Sequence, residues 1–417
     1  MRRELTSVIL GLCICACAQA ECPPGDLNGD CRTDIADLYI LSALWLAEPN
    51  LVAEPNAVVG QNAAADLNDD KHVNATDLAI LAAQWERTGC PVVINEVLAH
   101  AHAAAPDWIE LYNLSSIPVD IGGWLLSDKK SNLSKYQFAP GTIVPPLGYR
   151  VLYENTTFGN PQDPNTRILF AMSENGETLY LSSNTDPTFC DCLMETAFGA
   201  SATSYSYGRY RKSTGEVVFV TMSEQTPGRP NAYPLVGPVV INEIMYHLRS
   251  DADAEYVELY NISDGSVTLF DYVAMEPWRL TDGDEAINFR FPSDPPVTLE
   301  KGEYLLLVKD LGVIPRGVPS GVKVFAWGDG RLANQGDLLR LVKPGDVDDL
   351  GTRYWIDVDR VDFSDGSHGA RFPNGVDPWP AEADGAGLSL NRLFPKKFGD
   401  DPNNWQATIT TPGSTND

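Results

Sequence analysis

Most of the chain consists of one long segment that occurs twice. Five short motifs downstream of Cys90 recur in the same order, and equivalent residues are separated by 147, 148, 154, 160 and 185 positions in turn. The motifs pair residues 91–97 with 238–244, 107–113 with 255–261, 124–128 with 278–282, 176–181 with 336–341 and 226–228 with 411–413. A constant order with rising separation indicates a tandem domain duplication in which the second copy has gained insertions.

Both copies carry the pattern of β-strands. Short apolar or alternating runs are bounded by Gly, Pro, Asn and Asp at intervals of about ten residues, which is typical of an all-β sandwich. In one motif Ile109 and Leu111 face one way while Glu110 and Tyr112 face the other, so one face is expected to be core and the other exposed. Nothing after Cys90 has the period of a long helix.

Three of the repeated motifs resemble the lamin-tail domain. They are an Ile-Asn-Glu opening, an aromatic-aliphatic-Glu-Leu-Tyr-Asn strand and a Trp-x-Leu-x-Asp strand. That family is an immunoglobulin-like sandwich, is common in exported bacterial proteins and is described as an interaction module. The resemblance implies one sandwich over residues 91–232 and a second over 237–417, with an insertion near 342–387. It bears on the fold more than on the function.

Two stretches ahead of the duplication carry the same series of oxygen donors, forty residues apart. A calcium loop supplies about six ligands from positions 1, 3, 5, 7, 9 and 12, and position 7 contributes a backbone carbonyl. The predicted ligands are Asp26, Asn28, Asp30, the Arg32 carbonyl, Asp34 and Asp37, then Asp66, Asn68, Asp70, the His72 carbonyl, Asn74 and Asp77. Ordinary Asp-rich turns that cap two helices would need this full spacing twice by chance.

Each loop runs directly into a predicted helix with an apolar face. Leu38, Leu41 and Trp45 share that face in the first helix, and the residues forty positions later do so in the second. Two such loops, each with one exiting helix, resemble the type I dockerin, an EF-hand-like calcium module that binds cohesin domains in bacterial polysaccharide-degrading complexes. The resemblance covers residues 22–90 and implies a Ca²⁺ cofactor and a cohesin-like or other extracellular protein partner.

Two features depart from the dockerin pattern. The Gly that a calcium loop uses at position 6 for its sharp turn is Cys31 in the first loop and Lys71 in the second. The segment between the two helices is also long for a dockerin. By the same resemblance, the residue pairs at loop positions 10 and 11 would contact a cohesin, namely Ile35-Ala36 and Ala75-Thr76.

The amino terminus has the features of a secretory signal peptide. Arg2 and Arg3 precede an apolar run, and Ala18-Gln19-Ala20 fits a signal peptidase site. The sequence therefore predicts a signal peptide over residues 1–20 and a secreted or cell-surface protein. No later stretch is long and apolar enough to predict a transmembrane segment. A membrane-spanning first segment and a lipid anchor at Cys17 remain alternatives.

The chain is acidic along its whole length, with a formal net charge of −27. Asp and Glu outnumber Lys and Arg by 12 to 3 in residues 21–90, by 14 to 9 in 91–232 and by 30 to 16 in 233–417. Such a surface repels phosphate backbones and anionic lipids, and no local basic patch offsets it. We therefore expect no nucleic-acid partner, whereas divalent cations suit this charge.

Five cysteines follow the predicted signal peptide, and in an exported protein they are candidates for disulfides. Cys22 and Cys90 bracket the calcium module, whose ends should lie close together, so we expect them to pair. A bond between Cys31 and Cys90 is equally allowed by the sequence. Cys190 and Cys192 are expected to be structural, because the helix start of a redox motif is missing beside them.

Four glutamates are the first enzymatic candidates, namely Glu96, Glu110, Glu243 and Glu258. Two carboxylates held together can act as an acid/base pair. Alternatively, they tie strand ends and turns together through hydrogen bonds. The second interpretation is favoured because the same set occurs in both copies together with structural Trp and Gly positions.

Two further groups have both a structural and a functional interpretation. His100 and His102 have a strand spacing that suits a transition metal, but their Ala-rich surroundings predict an exposed loop. The insertion combines many aspartates with Trp379, as carbohydrate and peptide sites do. Strands with Asp at their turns are the favoured interpretation there.

Together these features predict a multidomain protein with a small α-helical EF-hand-like dockerin module and two immunoglobulin-like all-β sandwiches. No nucleophile elbow, phosphate-binding loop, dinucleotide fingerprint or zinc spacing is present. We therefore expect a non-catalytic docking protein in an extracellular assembly, linked to polysaccharide breakdown. Two alternatives stay open. One is an extracellular hydrolase or carbohydrate-binding protein with its site in the 342–387 insertion, and the other is a mechanical spacer.

Overall fold

A computed structural model describes residues 22–45, 65–68, 70–85, 89–183, 193–248, 255–372 and 375–416. The predicted signal peptide and the cysteines at 190 and 192 lie outside these residues. Within the described residues, none of the helices has the length and apolar character needed to cross a membrane.

The described residues contain two α-helices, α1 Ile35–Ala43 and α2 Ala75–Ala83. Each begins at a capping box. The Asp34 carboxylate accepts the N–H of Ala36 at 2.8 Å, and the Asp37 carboxylate accepts the N–H of Asp34 at 2.7 Å. Asn74 and Asp77 repeat the arrangement at the start of α2. These bonds satisfy N–H groups that the first turn of a helix leaves open, so each helix begins inside its predicted calcium loop.

Eleven strands lie in the described part of the first copy. They are β1 Val92–Leu98, β2 Trp108–Asn113, β3 Val119–Asp120, β4 Leu125–Ser127, β5 Tyr136–Gln137, β6 Ile143–Val144, β7 Tyr149–Tyr153, β8 Glu177–Ser182, β9 Leu193–Phe198, β10 Tyr207–Arg211 and β11 Val217–Thr221.

Fourteen strands lie in the described part of the second copy. They are β12 Val239–Met245, β13 Tyr256–Asn261, β14 Val267–Thr268, β15 Phe270–Asp271, β16 Glu276–Pro277, β17 Arg279–Thr281, β18 Asn288–Arg290, β19 Thr298–Leu299, β20 Tyr304–Val308, β21 Lys323–Ala326, β22 Leu338–Val347, β23 Arg353–Asp362, β24 Ser389–Arg392 and β25 Trp405–Thr408.

The strand order of the first copy recurs in the second. A sheet ordered β11-β10-β1-β2-β7 corresponds to β25-β24-β12-β13-β20, and β5-β4-β8-β9 corresponds to β18-β17-β22-β23. The short pair β3-β6 recurs as β14-β19. In the second copy β21 is added at a sheet edge, parallel to β20, and β15 pairs with β16. Four of the five repeated motifs therefore occupy equivalent strands. Of the additions, β21 lies at a sheet edge and β15-β16 form a separate pair.

The chain divides into two compact units. The first comprises the described parts of 1–95, 109–171 and 178–196, and the second those of 96–108, 172–177 and 197–417. Residues 91–232, the predicted first sandwich, contribute to both units.

An apolar core fills the second copy. Val257 and Leu259 of β13 belong to one buried cluster with Leu280 of β17 and with Leu339 and Leu341 of β22. These strands come from its two large sheets, so side chains of both sheets form a common core, as in a sandwich.

The burial of β2 differs from the expected alternation. Ile109 and Leu111 are fully buried, but Trp108 and Glu110 on the other face are also buried, at 3% and 0% exposure. Only Tyr112 is partly exposed in this strand. The expectation of one exposed face was wrong here, because the other face of β2 is covered as well.

A buried glutamate connects the first strand of each copy to its last motif. Glu96 accepts the N–H of Thr226 at 3.0 Å, and Glu243 accepts the N–H of Thr411 at 3.0 Å. Each also accepts a serine hydroxyl, at 2.6 and 2.5 Å. Both carboxylates are fully buried. Hydrogen bonds to a carboxylate are strong, so these groups fasten the Thr-Pro-Gly ends of the repeats to β1 and β12.

A second buried glutamate in each copy binds the neighbouring asparagine. Asn95 donates to Glu110 at 2.8 Å, and Asn242 donates to Glu258 at 2.8 Å. Asn242 lies where the register of β12 against β13 shifts by one residue, a β-bulge. Burial raises the pKa of Glu258 to about 8. The four glutamates thus have structural partners, which supports their interpretation as ties between strands.

The insertion contributes to the same framework. Asp359 on β23 accepts the guanidinium N–H of Arg392 at 2.6 Å and the backbone N–H of Ile241 at 2.8 Å. Asp359 and Arg392 are both buried. Removal of one partner from a buried ion pair typically costs about 3–5 kcal/mol. Asp359 therefore joins three strands and is not available as a ligand-binding group.

We predict that Glu258→Gln reduces the pH dependence of unfolding. The pKa of Glu258 rises from its ordinary value of 4.5 to about 8 in the folded protein, so the folded state binds a proton that the unfolded state has released. The stabilisation of the folded state by this proton is fully present below about pH 4.5, the unfolded pKa. It is lost as the pH rises through the folded pKa of about 8. In this window the unfolding free energy of the wild type should fall by up to about 1.4 kcal/mol per pH unit more than that of E258Q.

Urea unfolding of both proteins across this pH window measures the difference. Glu382→Gln, at an exposed position of the same unit, is the control and should behave as the wild type. Parallel pH profiles for E258Q and the wild type would contradict the prediction.

Candidate metal centre

The first loop gathers its acidic side chains around its own backbone. Asp26 at position 1 accepts the N–H groups of Gly29, Asp30 and Cys31 at 2.8, 3.0 and 2.7 Å. The amide of Asn28 at position 3 donates to the Asp30 carboxylate at 3.1 Å. These contacts bring the side chains of positions 1, 3 and 5 together.

The second loop repeats this geometry. Asp66 accepts the N–H groups of Asp70 and Lys71 at 3.1 and 2.7 Å. Asn68 donates to the Asp70 carboxylate at 3.0 Å, and Asn74 donates to it at 3.4 Å. Positions 1, 3, 5 and 9 are therefore linked in this loop.

The carboxylate at position 12 fastens each loop to its helix. Asp37 accepts the N–H of Leu27 and the N–H of Asp34, both at 2.7 Å. Asp77 makes the same two bonds in the second loop, also at 2.7 Å. Both carboxylates are fully buried. The last predicted ligand is consequently held against the start of its own loop.

The remaining predicted ligands lie in the same loops. The His72 carbonyl at position 7 accepts the Asn74 amide at 3.3 Å, which places it beside position 9. In the first loop the N–H of Arg32 donates to Asp30 at 3.0 Å, and Asp34 caps α1. Every donor in the two predicted sets is an oxygen. This chemistry fits a hard cation such as Ca²⁺ better than a metal that prefers nitrogen or sulfur.

The pKa of one carboxylate is raised in the first loop, and the pKa of another is lowered in the second. Burial raises the pKa of Asp26 to about 6, with hydrogen bonds from the Cys31 and Asp30 backbones opposing the rise and the Asp30 charge adding to it. The hydrogen bond from Asn68 is the main cause that lowers the pKa of Asp70. Carboxylates collected in this way repel one another, and a bound cation would remove that repulsion.

Position 6 keeps the turn that glycine would provide. Cys31 has φ +66° and Lys71 has φ +69°, both in the left-handed region. A side chain in this conformation costs roughly 1–2 kcal/mol. The N–H of each residue donates to the position 1 aspartate at 2.7 Å. The two departures from the dockerin pattern thus leave the backbone turn intact.

A disulfide in this region joins a pair that the sequence did not predict. Cys22 is bonded to Cys31, with Cα atoms 4.5 Å apart. Because the Cys31 N–H is bound to Asp26, the loop folds back toward Cys22. The N–H of Gly89 donates to the Cys31 carbonyl at 3.0 Å, so Cys90 lies nearby. Cys22, Cys31 and Cys90 thus lie in one region of the module.

The first loop also contacts the segment after β2, which sequence reasoning missed. The N–H of Ser116 donates to the Gly29 carbonyl at 2.7 Å, and its hydroxyl donates to the carbonyls of Gly29 and Asn28 at 2.9 and 3.1 Å. A Cβ on Gly29 would lie 2.8 Å from the Ser116 hydroxyl oxygen. The only sequence signal was a Gly at position 4 of this loop where the other loop has Asp69.

The helices bury one leucine each, and their tryptophans are exposed. Leu41 and Leu81 form a small core with Ala65 and Val73. Trp45 and Trp85 were expected on the same faces, but each is 41% exposed. The two helices end at Ala43 and Ala83, ahead of these residues, so helical periodicity does not extend to them.

The two neighbouring histidines do not form one site. His100 lies 3.5 Å from Glu174 and 3.9 Å from Asp346. His102 is exposed on the same segment. The structure therefore groups His100 with two carboxylates, whereas His102 has the exposed position that was expected for both.

Two protein families match successive parts of this chain. Residues 24–84 match the family described as Dockerin type I domain. Residues 86–195 match the Lamin Tail Domain family. A dockerin type I match is thus followed directly by a lamin tail match. The chain matches none of the curated proteins with which it was compared.

One solved structure is similar to part of this chain. A DUF4876 family protein from Bacteroides thetaiotaomicron is similar over 58% of this chain and 90% of its own, with 13% identity and a TM-score of 0.25.

We predict that Lys71→Gly stabilises the second loop, because glycine adopts a positive φ without a Cβ clash. The expected gain is roughly 1 kcal/mol. Amide hydrogen exchange of residues 66–85 in the full-length protein, with calcium present, measures it.

Ala82→Gly is the matched control, because it places glycine at an exposed position inside α2. It should lower stability by about 1 kcal/mol. If K71G loses stability as A82G does, position 71 does not need the left-handed turn.

Proposed function

We propose that residues 22–90 form a calcium-stabilised, EF-hand-like docking module that presents two lamin-tail-like sandwiches, residues 91–232 and 237–417, to an extracellular protein partner. In this proposal the chain is secreted or held at the cell surface and is not an enzyme. The main supporting observation is that two loops repeat one arrangement of carboxylates beside the same exposed helix positions. The repeated strand order supports a lamin-tail-like fold for the second copy.

The oxygen donors support calcium as the cofactor. Side chains at positions 1, 3, 5, 9 and 12 and the carbonyl at position 7 would hold the ion in each loop. When bound, Ca²⁺ would supply the positive charge that the collected carboxylates need. Asp37 and Asp77 are already held by backbone N–H groups, so ligand binding and helix position would be coupled.

The exposed faces of the helices support docking. Ile35 and Tyr39 are 52% and 69% exposed, and they lie four residues apart on one face of α1. Ala75 and Ala79 are exposed at the equivalent positions of α2. Exposed apolar side chains that lie together mark interaction surfaces. These positions include those that dockerins use toward cohesins, so a cohesin-like domain is the partner we propose.

We predict that calcium chelation in the full-length protein unfolds residues 22–90 and leaves the two sandwiches folded. The loops would lose the charge that offsets their carboxylates, whereas the sandwiches are held by apolar cores and buried hydrogen bonds. Amide hydrogen exchange resolved by peptide, with calcium and with a chelator, measures the effect.

A double variant tests the same proposal without a chelator. Asp30→Asn combined with Asp70→Asn should weaken calcium binding and raise exchange in residues 22–90. Asp264→Asn, at an exposed acid that pairs with Lys301, should change neither. If amide exchange in residues 22–90 does not depend on calcium and is unchanged in the double variant, these loops do not bind calcium.

We predict that Ile35→Asp weakens partner binding by roughly ten-fold or more, because it removes apolar contact and buries a charge at the interface. Ala75→Asp should have a smaller effect, since it removes less apolar area. Affinity for a cohesin domain, or for a partner captured from the secreted fraction with calcium, is the measurement. Ile409→Asp, at a residue that is 77% exposed in the second unit, is the control. Equal binding by I35D and the wild type would place the interface elsewhere.

A second candidate function rests on a cleft in the second unit. This cleft has a volume of about 470 Å³ and is lined by Tyr205, Trp278 and Lys343, among other residues, with part of its wall from the insertion. Aromatic and charged side chains together suit a carbohydrate. A screen of the full-length protein against polysaccharides and phosphoesters, with Tyr205→Ala as the variant, separates a binding protein or hydrolase from a mechanical spacer, which would bind nothing.

A further inference from the structure

The loop after β23 gathers a second set of metal-type ligands, which are unrelated to the calcium loops. Asp365, His368 and Asp377 each place one ligand atom within 4.8 Å of the others. Asp365 is 8% exposed, and its Oδ1 lies 2.9 Å from Nδ1 of His368. All three residues belong to the insertion of the second copy.

The backbone holds these side chains in place. Asp377 accepts the N–H of His368 at 2.9 Å and the N–H of Trp379 at 3.1 Å. Gly366 has φ +84°, and a Cβ there would lie 2.6 Å from the Cβ of Ala381. The turn that carries the first two ligands is therefore packed closely against the segment beyond the third.

A buried tyrosine beside this segment has a hydroxyl without a partner. Tyr246, the residue after β12, is 1% exposed, and within the described residues its hydroxyl has no hydrogen-bond partner. The ring of Tyr246 lies 4.8 Å from the ring of Phe363, two residues before Asp365, and belongs to the same buried cluster as Trp379, two residues after Asp377. A buried hydroxyl without a partner is unfavourable, so a bound group that accepts a hydrogen bond from it would be favoured.

The ligand chemistry selects the type of metal. One imidazole and two carboxylates suit a borderline cation such as Zn²⁺, whereas calcium and magnesium prefer oxygen alone. The Asp365 carboxylate accepts the N–H of Ser367 at 2.8 Å, which holds it beside His368.

We propose that Asp365, His368 and Asp377 form a site for a zinc-type divalent cation, with the Tyr246 hydroxyl donating to the remaining ligand of the ion. Three protein ligands leave a fourth tetrahedral position for water. The bound ion would brace the insertion against the end of β12, a role that does not depend on the docking proposal.

Another cluster in the second unit provides an internal comparison. The ring nitrogens of His100 already contact the Ser201 carbonyl at 3.1 Å and the Thr203 hydroxyl at 3.0 Å. Its acidic neighbours Glu174 and Asp346 are 46% and 53% exposed. A histidine beside two such carboxylates matches the proposed site in composition but not in burial.

The test is zinc binding by the full-length protein, saturated with calcium so that the calcium loops do not compete. Competition with a chromophoric zinc chelator gives the affinity. We expect one zinc site that His368→Gln weakens by at least about ten-fold and that His100→Gln leaves unchanged. Tyr246→Phe should weaken zinc binding by a smaller factor and should not lower the melting temperature of the zinc-free protein, because it removes a hydroxyl without a partner.

Near-UV circular dichroism verifies the fold of each variant through the buried Trp379. If H368Q does not fold, Y246F becomes the test, and an unchanged zinc affinity of Y246F overturns the proposal. If H368Q folds, the proposal is overturned when H368Q binds zinc as tightly as the wild type. Loss of the zinc site in H100Q also overturns the proposal. Failure of zinc to bind in the presence of saturating calcium would also overturn it, because a nitrogen ligand would then contribute no preference for zinc.

Discussion

Buried carboxylates that accept backbone N–H groups stabilise the two helix-bearing loops and, separately, each β-copy. Asp37 binds the start of its own loop and the start of α1, and Glu243 binds a threonine 168 residues away. A carboxylate removed from water is costly unless its oxygens are hydrogen-bonded. Each such group therefore tolerates few alternative conformations. The position of the predicted calcium ligands and the closure of the β-copies follow from the same constraint.

Two kinds of segment are duplicated in this chain, the oxygen-rich loop with its helix and the β-copy. In each case one copy differs from the other. Within the described residues, the first predicted calcium loop carries the disulfide of Cys31 and the contact with Ser116, which the second loop does not share. The second β-copy carries an edge strand and an insertion that the described part of the first copy does not share. A duplicated framework keeps its hydrogen-bonded core while its loops vary, since loops contribute little to the core. The proposed zinc site lies in such a variable loop.

Much of the local structure could be predicted, because it depends on residues close in sequence. The helices that follow the two loops and the strands around Ile109 follow from spacing and residue type. The left-handed turn at position 6 follows from the loop spacing but not from residue type, because Cys31 and Lys71 occupy it. The exposure of the tryptophans and the burial of both faces of β2 could not be predicted. These properties depend on which distant segment covers a side chain. The Asp365 cluster was likewise visible only as a run of aspartates in an insertion.

By itself, the sequence determined the order of the modules, the oxygen donors of the two loops and the duplicated strands, because each depends on local spacing. The tertiary structure decided which groups meet. It brought Glu96 to Thr226, 130 residues away, and Arg392 to Asp359. It also paired Cys22 with Cys31 and brought Tyr246 against Phe363. Such contacts depend on sheet register and on where loops reverse direction. Both are properties of the folded chain as a whole.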